Sequence, residues 1–537
     1  MNWQTPEKLR ALLCEVVSFG SETFTEGERL FSRKLKEKLE TLAYFQTNPS
    51  QLQLVDVDYG RQVVSAFYHA PHCRDTVVLI SHFDTVQTEE YGEIRHLATQ
   101  PEELTALLEK QPHYVNEAAQ KDLQKGEYLF GRGVMDMKMG LCLHMQLIEK
   151  AIEEQWPINL LLITVPDEEV NSAGMRKAVE HIAALRDKHD LHIELFLNSE
   201  PSFSQGPEDV KEYIYSGTIG KIMPAALFYG KEMHVGEPLK GITAPFMSAF
   251  LTAEMEFNDR FEETVYGETT PLPVSLQLKD LKEQYSTQTP YRAAALYNVF
   301  LMKRSASEIF DIFEQVTIEA MDKCNAQYEK ICAKKNVKPV GTIRTIRFSE
   351  LKKYALEKLG EVKVSELEEG VYTNDVWDDR TKSLKIADEL MIHCKELAPA
   401  TVILFAPPYY PPANSSEHPF MKQAVSYLLD AAKPYDIPLE QIHYFNGICD
   451  LSYCQYVLDD GWQSYEENTP VWGKTYEIPF EQIATFDAPV LNVGPFGKDA
   501  HQISERLHTK SAFEEMPELI QGLIQQMIVW KQRNGAV

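Results

Sequence analysis

The run LLLITV (Leu160–Val165) narrows the fold of this 537-residue chain more than any other feature. Five apolar residues interrupted only by Thr164, with no polar alternation, suit a strand buried on both faces. The chain then leaves through Pro166 directly into three carboxylates, Asp167, Glu168 and Glu169. A second such run, TVVLI (Thr76–Ile80), lies upstream, and the text from Met137 to about Ile152 has helical spacing. Continuous apolar strands alternating with helices predict an α/β domain whose sheet is covered on both sides. Ahead of them, Thr5 and Pro6 suit a helix start before Leu9, Leu12, Leu13 and Val16. Thr25 and Glu28 read as a capping box before Leu30, Phe31, Leu35 and Leu39.

Near Ile214 the texture changes to strand-like runs punctuated by Gly217, Gly220, Gly230, Gly236 and Gly241. A capping box at Ser305 and Glu308 then predicts a long helix with Ile309, Ile312, Phe313, Val316 and Ala320 on one face. Residues 336–398, with the acidic run SELEEGVYTNDVWDD, read as a helical insertion with a solvated face. In FAPPYYPP, Pro407, Pro408, Pro411 and Pro412 restrict the backbone as a hinge between two bodies would. The α/β pattern resumes with a helix from about Phe420, a strand in APVLNVGP and a C-terminal helix. The expected organisation is one discontinuous α/β domain, 1–213 and 414–537, around a second domain of 214–413.

The charge balance excludes some partners. With 53 Lys+Arg against 80 Asp+Glu the net charge is −27, which argues against nucleic acid and against an anionic membrane surface. No stretch approaches the roughly 20 apolar residues of a spanning helix, and the first residues lack the pattern of a secretory signal. Eight cysteines without CxxC pairs read as reduced thiols, and therefore as a cytoplasmic protein.

Five places hold metal-ligand side chains just past a predicted strand or at a helix start, the edge where open α/β sheets gather ligands. In SHFDTV, His82 follows TVVLI, and Asp84 could take the other N–H of its ring. Alone, such a pair is also the polar end of any strand. In GRGVMDMKMG, Asp136 follows a glycine turn; it reads either as a helix cap or as a carboxylate that could face two cations. A dinucleotide fingerprint fails there, because Asp136 stands where glycine is needed. Asp167, Glu168 and Glu169 crowd like charges at a strand end, which raises their pKa values unless a cation neutralises them. Glu200 ends LHIELFLNSE, and His501 follows a glycine-rich turn in NVGPFGKDAH. Imidazole and carboxylate donors without thiolates suit zinc, with cobalt or manganese as alternatives.

In order and spacing, SHFDTV, GRGVMDMK, PDEE with its downstream SAG, NSEP and GKEMHVGEPLKGITA resemble the co-catalytic dizinc metallohydrolases. That family includes aminoacylase, bacterial glutamate carboxypeptidase, peptidase T and succinyl-diaminopimelate desuccinylase. The resemblance implies a three-layer α/β/α catalytic domain with a mixed sheet, interrupted by an α+β lid that carries the insertion at about 336–398. It implies two divalent ions: His82 and Glu200 on one, Glu169 and His501 on the other, and Asp136 bridging. Asp84 would orient His82, Glu168 would be the general acid/base, and His234 in the lid would stabilise the developing oxyanion. Thr243 and Asp450 fall at substrate-binding positions. Many relatives have Asn in place of Thr243, and an Arg after the aspartate where this chain continues Leu451, Ser452 and Tyr453. Met139 also departs from the usual glycine after DMK.

The implied activity is hydrolysis of an amide bond in a small peptide or N-acyl amino acid. The alternative is a catalytically silent metal-binding or regulatory paralogue. In length, insertion and FAPPYYPP the chain further resembles an arginine-utilisation branch of that family, which implies such a setting. A homodimer through the lid is also implied, although the insertion could block it, and the lid would hinge near Ser216 and Asn414.

Overall fold

The two apolar runs are neighbouring strands of one sheet. The computed structural model describes residues 1–206, 209, 211–457 and 461–534. The chain divides into two units, one of Met1–Thr218, Ala413–Tyr456 and Glu481–Val537, the other of Ile219–Pro412 and Val457–Phe480.

The first unit is built on a mixed eight-stranded sheet. Its strands are β1 (Leu52–Asp56), β2 (Gln62–Tyr68), β3 (Asp75–His82), β4 (Asn159–Val165), β5 (His192–Asn198), β6 (Glu212–Tyr215), β7 (Leu439–Ile442) and β8 (Val490–Asn492). Across the sheet they run β1-β2-β4-β3-β5-β8-β6-β7. The centre is parallel, with β3 beside both β4 and β5, and β8 beside β5. Strand β2 joins antiparallel to β4, and β6 antiparallel to β8. Both faces of the central strands are buried. Val77, Leu79, Leu160 and Leu162 share a core with residues of the helices Pro6–Ser18, Lys138–Glu154 and Met516–Asn534. Val78, Ile80, Leu161 and Ile163, which alternate with them, are equally buried. Burying one such side chain contributes roughly 1.5–3 kcal/mol. In the observed register His82 pairs with Val165, and Ile80 with Asn198. The carboxyl ends of β3, β4 and β5 therefore lie level.

In the second unit the strand Arg292–Leu301 pairs with Gly220–Ile222, Pro224–Tyr229 and Val274–Asp280. Pro224–Tyr229 also pairs with Ala400–Phe405. A helix of 29 residues, Ala306–Lys334, opens with both hydrogen bonds of the Ser305–Glu308 capping box.

Four features differ from the sequence expectation. Thr25 makes no side-chain cap; Glu28 accepts the Phe24 N–H at 2.7 Å and turns its other oxygen to the buried Arg61. The 336–398 stretch is not wholly helical, because Arg344–Arg347 forms an edge strand parallel to Ala400–Phe405. The proline run is pinned within the second unit, where Lys221 and Tyr410 exchange two backbone hydrogen bonds of 2.8 Å. A side chain at Gly220 would meet the Pro412 nitrogen at 2.6 Å, so this close approach requires glycine. Residues Val457–Phe480, assigned by pattern to the outer domain, belong to the second unit. Their Tyr465 ring packs 4.9 Å from Phe405 and 4.8 Å from Tyr409. Among the described residues no helix is long and apolar enough to cross a membrane.

Candidate metal centre

The level strand ends set the site. His82 is the last residue of β3, Glu168 and Glu169 follow β4, and Glu200 follows β5. Asp136 comes from the turn between the short strand Tyr128–Phe130 and the helix Lys138–Glu154, and His501 from the loop between the short strands Phe496–Lys498 and Arg506–His508. Asp136 does not cap that helix; Met137 occupies the cap position. Gly140, in the helix's first turn, lets it approach β5, since a Cβ there would lie 2.3 Å from the Ser199 carbonyl oxygen.

Five side chains converge. His82 Nε2 lies 3.2 Å from Asp136 Oδ1 and 3.5 Å from Glu200 Oε1. His501 Nε2 lies 3.1 Å from Asp136 Oδ2 and 3.2 Å from Glu169 Oε1. The structure thus contains two donor groups, His82–Asp136–Glu200 and Asp136–Glu169–His501, each with its ligand atoms within 4.8 Å of one another. Asp136 belongs to both. Glu168 stands beside them, its Oε2 4.0 Å from His82 Nε2. His82 is buried, whereas His501 is 48% exposed.

Burial pushes the carboxyls of Glu168 and Glu200 well above the usual range and raises Glu169, with neighbouring carboxylates adding to each. Against burial, His501 and His82 hold Asp136 far below that range. Contacts with Asp136 and Glu169 push His501 up to about 11. Four carboxylates with two imidazoles between them form an anionic nest that a cation would neutralise. Nitrogen and oxygen donors in two three-membered groups, with no thiolate, fit a pair of divalent ions such as zinc, cobalt or manganese.

Other residues hold these ligands in place. The Asp84 main-chain oxygen faces His82 Nδ1 at 3.1 Å, nearer than its carboxylate at 3.5 Å. That carboxylate mainly fixes the acidic turn, accepting the N–H groups of Glu168 at 3.0 Å and Glu169 at 3.3 Å and the Thr23 hydroxyl at 3.0 Å. Behind the turn Arg61 donates to Asp167 at 2.6 Å and to Glu28 at 3.4 Å. Arg132 and Arg506 similarly brace the Asp136 turn and the His501 loop. The longest of these contacts carry no local pattern in the sequence: 106 residues separate Arg61 from Asp167, and 373 separate Arg132 from Glu505.

The remaining expected site residues are placed as follows. Asp450 is buried in the first unit, where burial pushes it up to about 7 against the influence of His82 and Ser172. Its charge is the foremost of those raising Glu168. His234 and Thr243 belong to the second unit. His234 is exposed, and its Nδ1 accepts the Gly236 N–H at 3.0 Å. The Thr243 hydroxyl accepts the Phe246 N–H at 3.3 Å as cap of the helix Ala244–Met255.

Comparison with known proteins agrees with this architecture. The chain is 38% identical over 545 residues to protein YqjN of Bacillus subtilis (strain 168), spanning 100% of this chain and 99% of that one. It is 29% identical over 534 residues to protein RocB of the same organism, spanning 96% and 94%. Among solved structures, an M20 family metallo-carboxypeptidase from Sulfolobus solfataricus superimposes with a TM-score of 0.55 at 12% identity, over 96% of this chain and 98% of that one. A tripeptidase from Staphylococcus aureus gives a TM-score of 0.52 at 14% identity, over 98% and 99%. Residues 78–526, a span that holds every candidate ligand named above, match the sequence profile of Peptidase family M20/M25/M40, and the chain belongs to that family.

Proposed function

We propose that this member of a metallopeptidase family is a two-metal hydrolase that cleaves an amide bond in a small peptide or an N-acyl amino acid. The observation that carries the reading is Asp136, which turns Oδ1 to His82 at 3.2 Å and Oδ2 to His501 at 3.1 Å, so that one carboxylate serves two donor groups. His82 and Glu200 would hold one ion, Glu169 and His501 the other, and Asp136 both. When bound, such a pair lowers the pKa of a water and polarises the amide carbonyl.

Glu168 would take the proton of the attacking water and return it to the leaving amine. Its main chain is fixed for this by Asp84. Glu169 is free for a different task because its Oε1 faces His501 at 3.2 Å, whereas Glu168 turns its Oε2 toward His82, 4.0 Å away. The turn after Asp450 bears on substrate. Leu451, Ser452 and Tyr453 are all buried, and none supplies a guanidinium. A free substrate carboxylate would therefore lack a bidentate partner from this turn, which favours substrates that carry none or hold it elsewhere. The sequence resemblance supports a setting in arginine or amino-acid utilisation.

The test is to screen the metal-loaded protein against dipeptides and N-acyl amino acids, with and without a chelator. Turnover that is lost on chelation and restored by zinc, cobalt or manganese is expected. Absence of hydrolysis across the panel, with ions demonstrably bound, would reject the enzyme in favour of a silent paralogue.

A further inference from the structure

The second donor group is assembled from three segments that are remote in sequence, and one buried carboxylate ties two of them, the Asp136 turn and the His501 loop, together. Glu505 is fully buried. Its Oε1 accepts the Gly133 N–H at 2.7 Å, and its Oε2 accepts the Arg132 guanidinium at 2.7 Å. Its main-chain oxygen accepts the Gly131 N–H at 3.2 Å. One residue of the His501 loop therefore grips the whole Gly131–Gly133 turn, just ahead of Asp136. Arg132 is itself anchored: it donates to the Gln87 carbonyl at 3.4 Å and to Glu90, and it lies 5.7 Å from the Tyr91 ring centre.

The His501 loop needs such a hold. Asp499 and His501 both adopt left-handed backbone, with φ of 57° and 65°, a conformation that non-glycine residues keep only when their surroundings impose it. The His501 ring is 48% exposed, so packing does little to fix it. Arg506 secures the Asp499 end, donating at 2.6 Å to Asp499 and at 2.9 Å to Asp122. Glu505 secures the side that faces Asp136.

We propose that Glu505 is a positioning residue for the second ion, locking the His501 loop to the Asp136 turn through Arg132 and the Gly131–Gly133 backbone so that Asp136–Glu169–His501 is preformed. This rests on the two-metal reading and deepens it by assigning a residue that touches neither ion the control of one site. Outer partners of metal ligands typically govern affinity by about 10- to 100-fold.

In Glu505→Gln an amide NH2 must face one of the two donors, Gly133 N–H or the Arg132 guanidinium, and the strap opens on that side. The experiment is cobalt(II) titration of the full-length apoprotein, followed by visible absorbance and by counting ions retained per chain after gel filtration. Melting temperature is recorded in parallel. Two retained ions are expected for the wild type. For Glu505→Gln the first ion should bind as in the wild type and the second about 10- to 100-fold more weakly. Arg132→Lys, which keeps the charge but loses the fork, should weaken the same ion. If Glu505→Gln does not fold, Arg132→Lys gives the answer alone: selective loss of the second ion supports the proposal. Two ions held with wild-type affinity, or both weakened equally at an unchanged melting temperature, would overturn it. A wild type that binds fewer than two ions would instead reject the two-metal reading beneath it.

Discussion

Glu168→Gln is expected to lower kcat by roughly 10²- to 10⁴-fold, the usual contribution of a positioned general base, while the bound metal content stays close to that of the wild type. Glu168 is outside both donor groups, and its Oε2 lies 4.0 Å from His82 Nε2. Its backbone is fixed by Asp84 through an N–H that the substitution leaves intact. Glutamine keeps the size of the side chain and loses only its capacity to accept a proton. Rates and metal content should therefore separate, with kcat falling and KM little changed, the signature of an interaction made in the transition state. The comparison needs initial rates on the best substrate of the panel and metal analysis of both proteins. Turnover at the wild-type level would move the proton transfer to another group. Loss of metal in step with activity would make Glu168 a ligand.

Arg61→Ala is expected to cost about 3–5 kcal/mol of folding stability, the range for removing one partner of a buried charge group. Arg61 is 2% exposed, and it meets Asp167, Glu28 and Asp58. Burial and the neighbouring Asp84 push Glu28 up to about 8, and burial pushes Asp167 up to about 6. At neutral pH the guanidinium therefore serves chiefly to neutralise Asp167, which is 1% exposed and itself left-handed with φ of 70°. Without it a buried carboxylate stands uncompensated immediately before Glu168. Arg61→Lys should recover part of the loss, since the charge remains but the fork that reaches several oxygens at once does not. Urea denaturation of the three proteins measures this. A cost below about 1 kcal/mol for Arg61→Ala, the level of an exposed ion pair, would show that the arginine is not a clamp.

The features legible in the sequence are those with a local signature. Apolar runs such as LLLITV specify buried strands, and carboxylates and histidines just beyond them specify where ligands gather, because strand ends in an open sheet share one edge. His82, Asp136, Glu200, His501 and the trio Asp167, Glu168 and Glu169 could therefore be named as candidates from their positions, whereas the choice of Glu169 as ligand rests on the family resemblance. What escaped depends on partners far along the chain. Thr25 and Glu28 have the spacing of a capping box, yet Arg61, 33 residues from Glu28, draws the carboxylate away. Arg132 and Glu505 are 373 residues apart, and each looks like a surface charge until the fold buries both. The strand RTIR carries too much polarity to stand out, which suits an edge position with one neighbour. The return of Val457–Phe480 to the second unit depends on ring contacts of Tyr465 with Phe405 and Tyr409, which no period in the sequence encodes.

Diffraction from zinc-saturated crystals, recorded on both sides of the zinc absorption edge, addresses the convergence of the five side chains most directly. Two anomalous peaks per chain are predicted, one among His82, Asp136 and Glu200 and the other among Asp136, Glu169 and His501. A single peak, or two peaks away from these side chains, would contradict the two-metal centre.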